Sequence, residues 1–112
     1  MRLSTVNQFG FLVIHLCKTR GWNITPEHQF DPGRKWRFDY LIEHGGDRVG
    51  IEYEGMGVGK NKNAKGGHQT ITGFSGNCDK YNAATVQGIR VLRYTVLNWK
   101  QVQNDLEVIF GV

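Results

Sequence analysis

The stretch that decides the fold is Trp36-Arg37-Phe38-Asp39-Tyr40-Leu41-Ile42-Glu43-His44-Gly45-Gly46-Asp47-Arg48-Val49-Gly50-Ile51-Glu52-Tyr53-Glu54. Two alternating runs flank Gly45-Gly46, a favoured centre for a hairpin turn. In the first run Trp36, Phe38, Tyr40 and Ile42 are expected on one face, with Arg37, Asp39 and Leu41 on the other. In the second, Val49, Ile51 and Tyr53 alternate with Gly50, Glu52 and Glu54. A hairpin closed at the glycines sets Ile42 opposite Val49, Tyr40 opposite Ile51 and Phe38 opposite Tyr53, so the apolar faces match. It also sets Asp39 opposite Glu52 and Arg37 opposite Glu54. A one-residue slip would mix the faces.

Upstream of the hairpin, Ser4 is placed to cap a helix, and Val6, Phe9, Val13, Leu16 and Cys17 recur at helical spacing. Lys18 and Arg20 suit its last turn and Gly21 ends it. An extended piece from Asn23 to Phe30 follows, closed by Asp31-Pro32-Gly33. Downstream, Gly55 to Gly76 reads as a long basic loop carrying Lys60, Lys62, Lys65 and His68, and loops of that length tend to be functional. Asn77 or Asp79 is expected to cap a second helix, with Cys78, Tyr81, Ala84 and Thr85 on one face, ending at Gly88. Ile89 to Val96 reads as a strand, and Asn98 as the cap of a last helix through Phe110. The order helix, three strands, helix, strand, helix predicts an α/β fold: a mixed four-stranded sheet flanked by helices, with an αβββαβ core and an extra C-terminal helix.

At 112 residues the chain is expected to form a single domain over residues 1–112, large enough to fold without disulfide or structural metal. No apolar run is long enough for a membrane span, and the first residues carry no signal-peptide pattern, so a cytoplasmic protein is expected. Two cysteines, Cys17 and Cys78, are then expected to be reduced thiols, and they are too few for a zinc ribbon or finger. The net charge of +4 suits an acidic partner such as nucleic acid, and equally suits an ordinary soluble protein. Neither a P-loop nor a dinucleotide fingerprint is present, so nothing supports a nucleotide-cofactor enzyme.

The chemistry lies in the polar face of the hairpin. Carboxylates directly opposite across a strand pair have Cβ atoms about 5 Å apart. Two ionised groups so close repel, unless a divalent cation takes both. Mg²⁺ suits one or two carboxylates together with waters and a substrate phosphate. Asp39 and Glu52 fit that arrangement, with Glu54 one pleat further on. Without a metal the same face is a solvated exterior in which Arg37 pairs with Glu54, and spacing alone does not decide between the two.

The ordered series Arg34-Lys35-Trp36-Arg37-Phe38-Asp39-Tyr40, Gly50-Ile51-Glu52-Tyr53-Glu54-Gly55, His68, Asp79-Lys80-Tyr81-Asn82 and Gly88-Ile89-Arg90-Val91-Leu92-Arg93-Tyr94-Thr95 resembles a small PD-(D/E)XK, restriction-endonuclease-like nuclease. It is similar to the group around the very-short-patch repair endonucleases and small phage and mobile-element relatives. The resemblance runs from about Glu27 to Thr95. It implies a Mg²⁺- or Mn²⁺-dependent DNA endonuclease, acting on structured, branched or mismatched DNA in repair, recombination or phage DNA processing. The metal positions it implies are Asp39 and Glu52, with Tyr53 beside them. The family's usual lysine, two residues after the second acid, is Glu54 here, which leaves the general base unassigned.

Lys80 is a candidate for the missing cation, with an exposed helix lysine beside Asp79 as its alternative. His68 resembles the histidine of the very-short-patch type, and a histidine serves as acid or base near neutral pH. Glu27 and Asp79 are further acids without an assigned role. Arg34, Lys35, Arg37, Lys60, Lys62 and Lys65 are candidates for contacts to DNA phosphates. A nickase would act as a monomer, whereas cutting both strands of a junction asks for a two-fold homodimer. The Glu54 departure keeps a second function open, a catalytically silent nucleic-acid-binding module on the nuclease fold.

Overall fold

A computed structural model describes residues 3–54 and 71–111. Its elements follow the expected order. Helix α1 spans Thr5–Arg20, strands β1 Asn23–Gln29, β2 Arg37–His44 and β3 Asp47–Tyr53, helix α2 Ile71–Val86, strand β4 Ile89–Tyr94, and helix α3 Val102–Phe110 after a single 3-10 turn at Trp99–Gln101. The sheet has the order β1-β2-β3-β4, antiparallel except for the parallel β3–β4 pair, so the fold is α/β with a mixed four-stranded sheet. Among the described residues no helix is long and apolar enough to cross a membrane.

Helix α1 begins where its cap dictates: the Ser4 side chain accepts from the Asn7 N–H at 3.2 Å. It ends at Gly21, whose φ of 76° closes the left-handed turn and lets its N–H reach the Cys17 carbonyl. Its inward residues Phe9, Val13, Leu16 and Cys17 pack with Ile42, Val49, Ile51, Tyr94, Val102 and Leu106, one core between the sheet and helices α1 and α3. Val6, expected on that face, is exposed instead. An Arg20–Glu107 ion pair ties α1 to α3. The opposite face of the sheet holds a second core, in which Phe30, Phe38, Leu41 and Ile89 pack on Ala84 of α2.

The β2–β3 register is the expected one, Ile42 opposite Val49 and Tyr40 opposite Ile51 around Gly45-Gly46. Both turn glycines have positive φ, 60° and 90°, as a tight hairpin of right-handed twist requires. The expected alternation fails at Asp39. Tyr40 and Ile42 belong to the α1–α3 core, while Trp36 and Phe38 join Leu41 on the α2 side. Phe38 therefore does not face Tyr53, whose ring packs on Phe9 with centroids 5.2 Å apart. Strand β1 is distorted at the same level. Residue pairs flank Asp39 on either side, Tyr40 with Pro26 and Phe38 with His28, and Glu27 between them has φ 51°. A glutamate in the left-handed region is strained, and strain of this kind concentrates where a chain must re-aim side chains.

Three boundaries differ from expectation. Helix α2 starts at Ile71, with Gly76 inside it, so neither Asn77 nor Asp79 is its cap. Strand β4 stops at Tyr94. There Asn98 Oδ1 accepts from the Thr95 N–H at 2.7 Å, so this side chain secures the turn after β4 and does not cap a helix. Cys17 is buried and Cys78 exposed, both unpaired. Burial pushes the Cys17 thiol up to about 11, and the thiolate is the reactive form. Ellman's reagent near neutral pH should therefore titrate Cys78 at once and Cys17 only after unfolding; two fast thiols in the native protein would contradict this packing.

Candidate functional site

The β2–β3 ladder runs out after Tyr40–Ile51, at the end of the sheet where β3 and β4 finish. There the Asp39 carboxylate takes the place of a ladder acceptor, with its Oδ2 accepting from the Tyr53 N–H at 2.7 Å. An ionised acceptor on a backbone donor makes a strong bond, and it pins Asp39 between the two faces. Tyr53 presents only its main chain here, because its ring is packed on Phe9. Burial, with the Asp39 and Glu27 carboxylates nearby, raises the Tyr40 hydroxyl above its ordinary value.

Glu52 projects from β3 toward α2. Lys80 Nζ donates to its Oε2 at 2.8 Å and the Tyr81 hydroxyl to its Oε1 at 3.2 Å. Lys80 is the tenth residue of α2 (Ile71–Val86) and not near its start, so the helix body holds it. Its ammonium also lies 5.4 Å from the Phe38 ring centroid. The side chains of Lys80 and Glu52 are only 15% and 14% exposed, which sets this pair apart from an ordinary surface ion pair. Burial, with Glu52 and Glu54 beside it, holds the Tyr81 hydroxyl well above its ordinary value, so it remains a donor.

Glu54 does not meet Arg37. Its Oε2 accepts from Arg93 Nε at 2.7 Å, while Arg37 lies opposite Gln29 on the far side of β2. Arg93 in turn sits over Tyr81, its guanidinium carbon 4.6 Å from the ring centroid. The bond to Glu54 raises the Arg93 pKa further. Parallel pairing of β3 and β4 puts Arg93 beside Glu52. The result is a charge-balanced row, Lys80–Glu52 and Arg93–Glu54, bridged by Tyr81. Arg93 and Tyr81 were not among the sequence candidates for the site. The signal was available, because the residue beside Glu52 on a parallel neighbour shares its face.

Arg34, Lys35 and Arg37 are exposed around the start of β2, and Arg34 stacks over Trp36 at 4.7 Å. Glu27 and Asp79 are exposed, and His15 is an exposed residue of α1. Lys60, Lys62, Lys65 and His68 lie outside the described residues. Among the described residues no group of three or more His, Cys, Asp or Glu side chains is placed to hold a metal ion. The carboxylates at this end of the adjacent strands are Asp39 and Glu52, and Mg²⁺ is a cation that keeps several waters and takes one or two protein carboxylates. No family model, curated protein or solved structure matches the chain, so this site is read from its own geometry.

Proposed function

We propose that the chain is a Mg²⁺- or Mn²⁺-dependent endodeoxyribonuclease that hydrolyses phosphodiester bonds in structured, branched or mismatched DNA. Its setting would be the cytoplasm (that of the bacterial host for a phage-encoded protein), in repair, recombination or phage DNA processing. The observation that carries the reading is the placement of Asp39 and Glu52 where the β2–β3 ladder ends, with the Lys80 ammonium on Glu52. Asp39 and Glu52 would hold the ion, with the Tyr53 main chain beside them. When bound, such an ion polarises the phosphodiester and lowers the pKa of a coordinated water.

The chain's own residues supply the rest. Lys80 provides the positive charge that the Glu54 position lacks, and α2 holds it more rigidly than a loop would. Asp39 is oriented by the Tyr53 N–H. Arg34, Lys35 and Arg37 offer exposed cations for phosphates on the same side of the sheet as the start of β2. Lys80→Met should lower the single-turnover cleavage rate about a hundredfold or more while DNA affinity changes little, the pattern of a group that acts in the transition state. A wild-type rate in Lys80→Met, with His68→Ala inactive, would move the role to His68.

One observation favours the second reading, a nucleic-acid-binding module without hydrolysis: both Glu52 oxygens already have donors within the chain. Incubation with plasmid and branched DNA in Mg²⁺, Mn²⁺ or EDTA separates the two. Cleavage that needs the metal supports the nuclease. Metal-independent binding without cleavage, unaltered by Asp39→Asn, supports the binding module.

A further inference from the structure

A cavity of about 610 Å³ opens beside the Arg93–Glu54 pair. Glu54, Arg93 and Thr95 line it from the strand ends, and Phe74, Asn77 and Tyr81 from α2. We infer that it seats one nucleotide of a bound DNA strand, with the phosphate on Arg93 and the base against Phe74. The identity of the polymer rests on the nuclease reading; the seat itself rests on the following geometry.

Arg93 is built as a clamp. Its bond to Glu54 goes through Nε, one of five N–H donors, and leaves the terminal nitrogens for a ligand. The side chain is 50% exposed, yet Glu54 on one side and the Tyr81 ring on the other fix its direction. A planar fork held in place loses little freedom on binding and matches phosphate geometry. Cα pairing of Arg93 with Glu52 puts the Arg93 backbone one strand spacing, about 4.8 Å, from the strand carrying the proposed metal carboxylate. The exposed Phe74 ring on the helix side accepts any base by stacking, and the Asn77 amide offers a donor and an acceptor to its edge. The volume lies within the range of small-ligand sites, roughly 300–1,000 Å³. Glu54 also gains a role: the acid that replaces the usual lysine is the positioning residue for Arg93.

The test reads binding alone, by fluorescence anisotropy of a short labelled single strand in EDTA, beside the same strand made abasic. Arg93→Met should weaken binding about tenfold and flatten the salt slope by about one counterion. Arg93→Lys should recover the salt slope without recovering the affinity, which a merely structural role for Arg93 would not produce. Phe74 is 56% exposed, so Phe74→Ala should fold; it should erase the preference for the base-containing strand and leave abasic binding unchanged. Wild-type affinity and slope in Arg93→Met, equal binding of the two strands by the unaltered protein, or no binding at all, each overturns the inference. Failure of the nuclease reading appears separately, as plasmid left intact in Mg²⁺ and Mn²⁺ by a protein that passes these binding tests.

Discussion

Asp39→Asn should abolish metal-dependent cleavage while leaving the protein folded. The asparagine side-chain oxygen can still accept from the Tyr53 N–H, so the bond that ends the β2–β3 ladder survives. What disappears is the negative charge, and with it the attraction for a divalent ion. A fall of at least about 10²–10³-fold in cleavage is expected, the size of effect seen when one preorganised electrostatic group is removed. Glu52→Gln should be equally inactive but less stable. Its partner Lys80 is largely buried and Tyr81 partly so, and the lysine would lose its counter-charge, a change that costs about 3–5 kcal/mol in a fully buried pair and less here. The pair of variants therefore separates chemistry from folding: both lose activity, and only Glu52→Gln loses several degrees of Tm. Retained cutting by Asp39→Asn, in protein free of contaminating nuclease, would remove Asp39 from the site.

The hairpin was legible because its register depends on two local facts, a Gly-Gly turn and matched apolar faces around it. Ile42 with Val49 and Tyr40 with Ile51 follow from those alone. The side-chain directions at Asp39 were not legible. They require a distorted β1 beside β2, and nothing in the run Asn23 to Phe30 announces that Glu27 adopts a positive φ. The start of α2 was hidden for a different reason. Gly73 and Gly76 argue against helix on propensity, and Ala84 is the one buried residue of α2, so its apolar periodicity is weak.

Site residues divide along the same line. Asp39 and Glu52 were readable as candidates at one end of the hairpin, but the opposition expected between them is absent from the ladder, which stops at Tyr40–Ile51 while Asp39 bonds the Tyr53 N–H. The Lys80–Glu52 and Arg93–Glu54 pairs join residues 28 and 39 positions apart and depend on how α2 and β4 cross back onto the sheet. Strand alternation within a hairpin cannot reach such contacts, and it assigned Glu54 to Arg37 because Arg37 was the nearest cation in register.

Gly50→Ala should destabilise the protein by more than the loss of any exposed side chain. A Cβ at Gly50 would stand 2.6, 2.7 and 2.8 Å from three carbons of the Phe38 ring. That ring cannot move cheaply: it is fully buried and stacks on Phe30 with centroids 4.5 Å apart. Overpacking of a closed core costs about 1–3 kcal/mol, and each kcal/mol lowers Tm by roughly 4–8 °C in a domain near this size. Displacing Phe38 also drags its neighbour Asp39 and the ammonium of Lys80 above the ring, so cleavage should fall along with stability. The same substitution at Gly76 should act in the opposite direction, because nothing lies within 4 Å of its added Cβ. A glycine inside a helix gives up about 1 kcal/mol relative to alanine. Steric conflict as the cause makes a further demand on thermal melts: Gly50→Ala combined with Phe38→Leu should be more stable than the sum of the two single changes, since the smaller side chain vacates the space the methyl needs. Strict additivity, or an unchanged Tm for Gly50→Ala alone, would mean that Phe38 is not locked against the sheet.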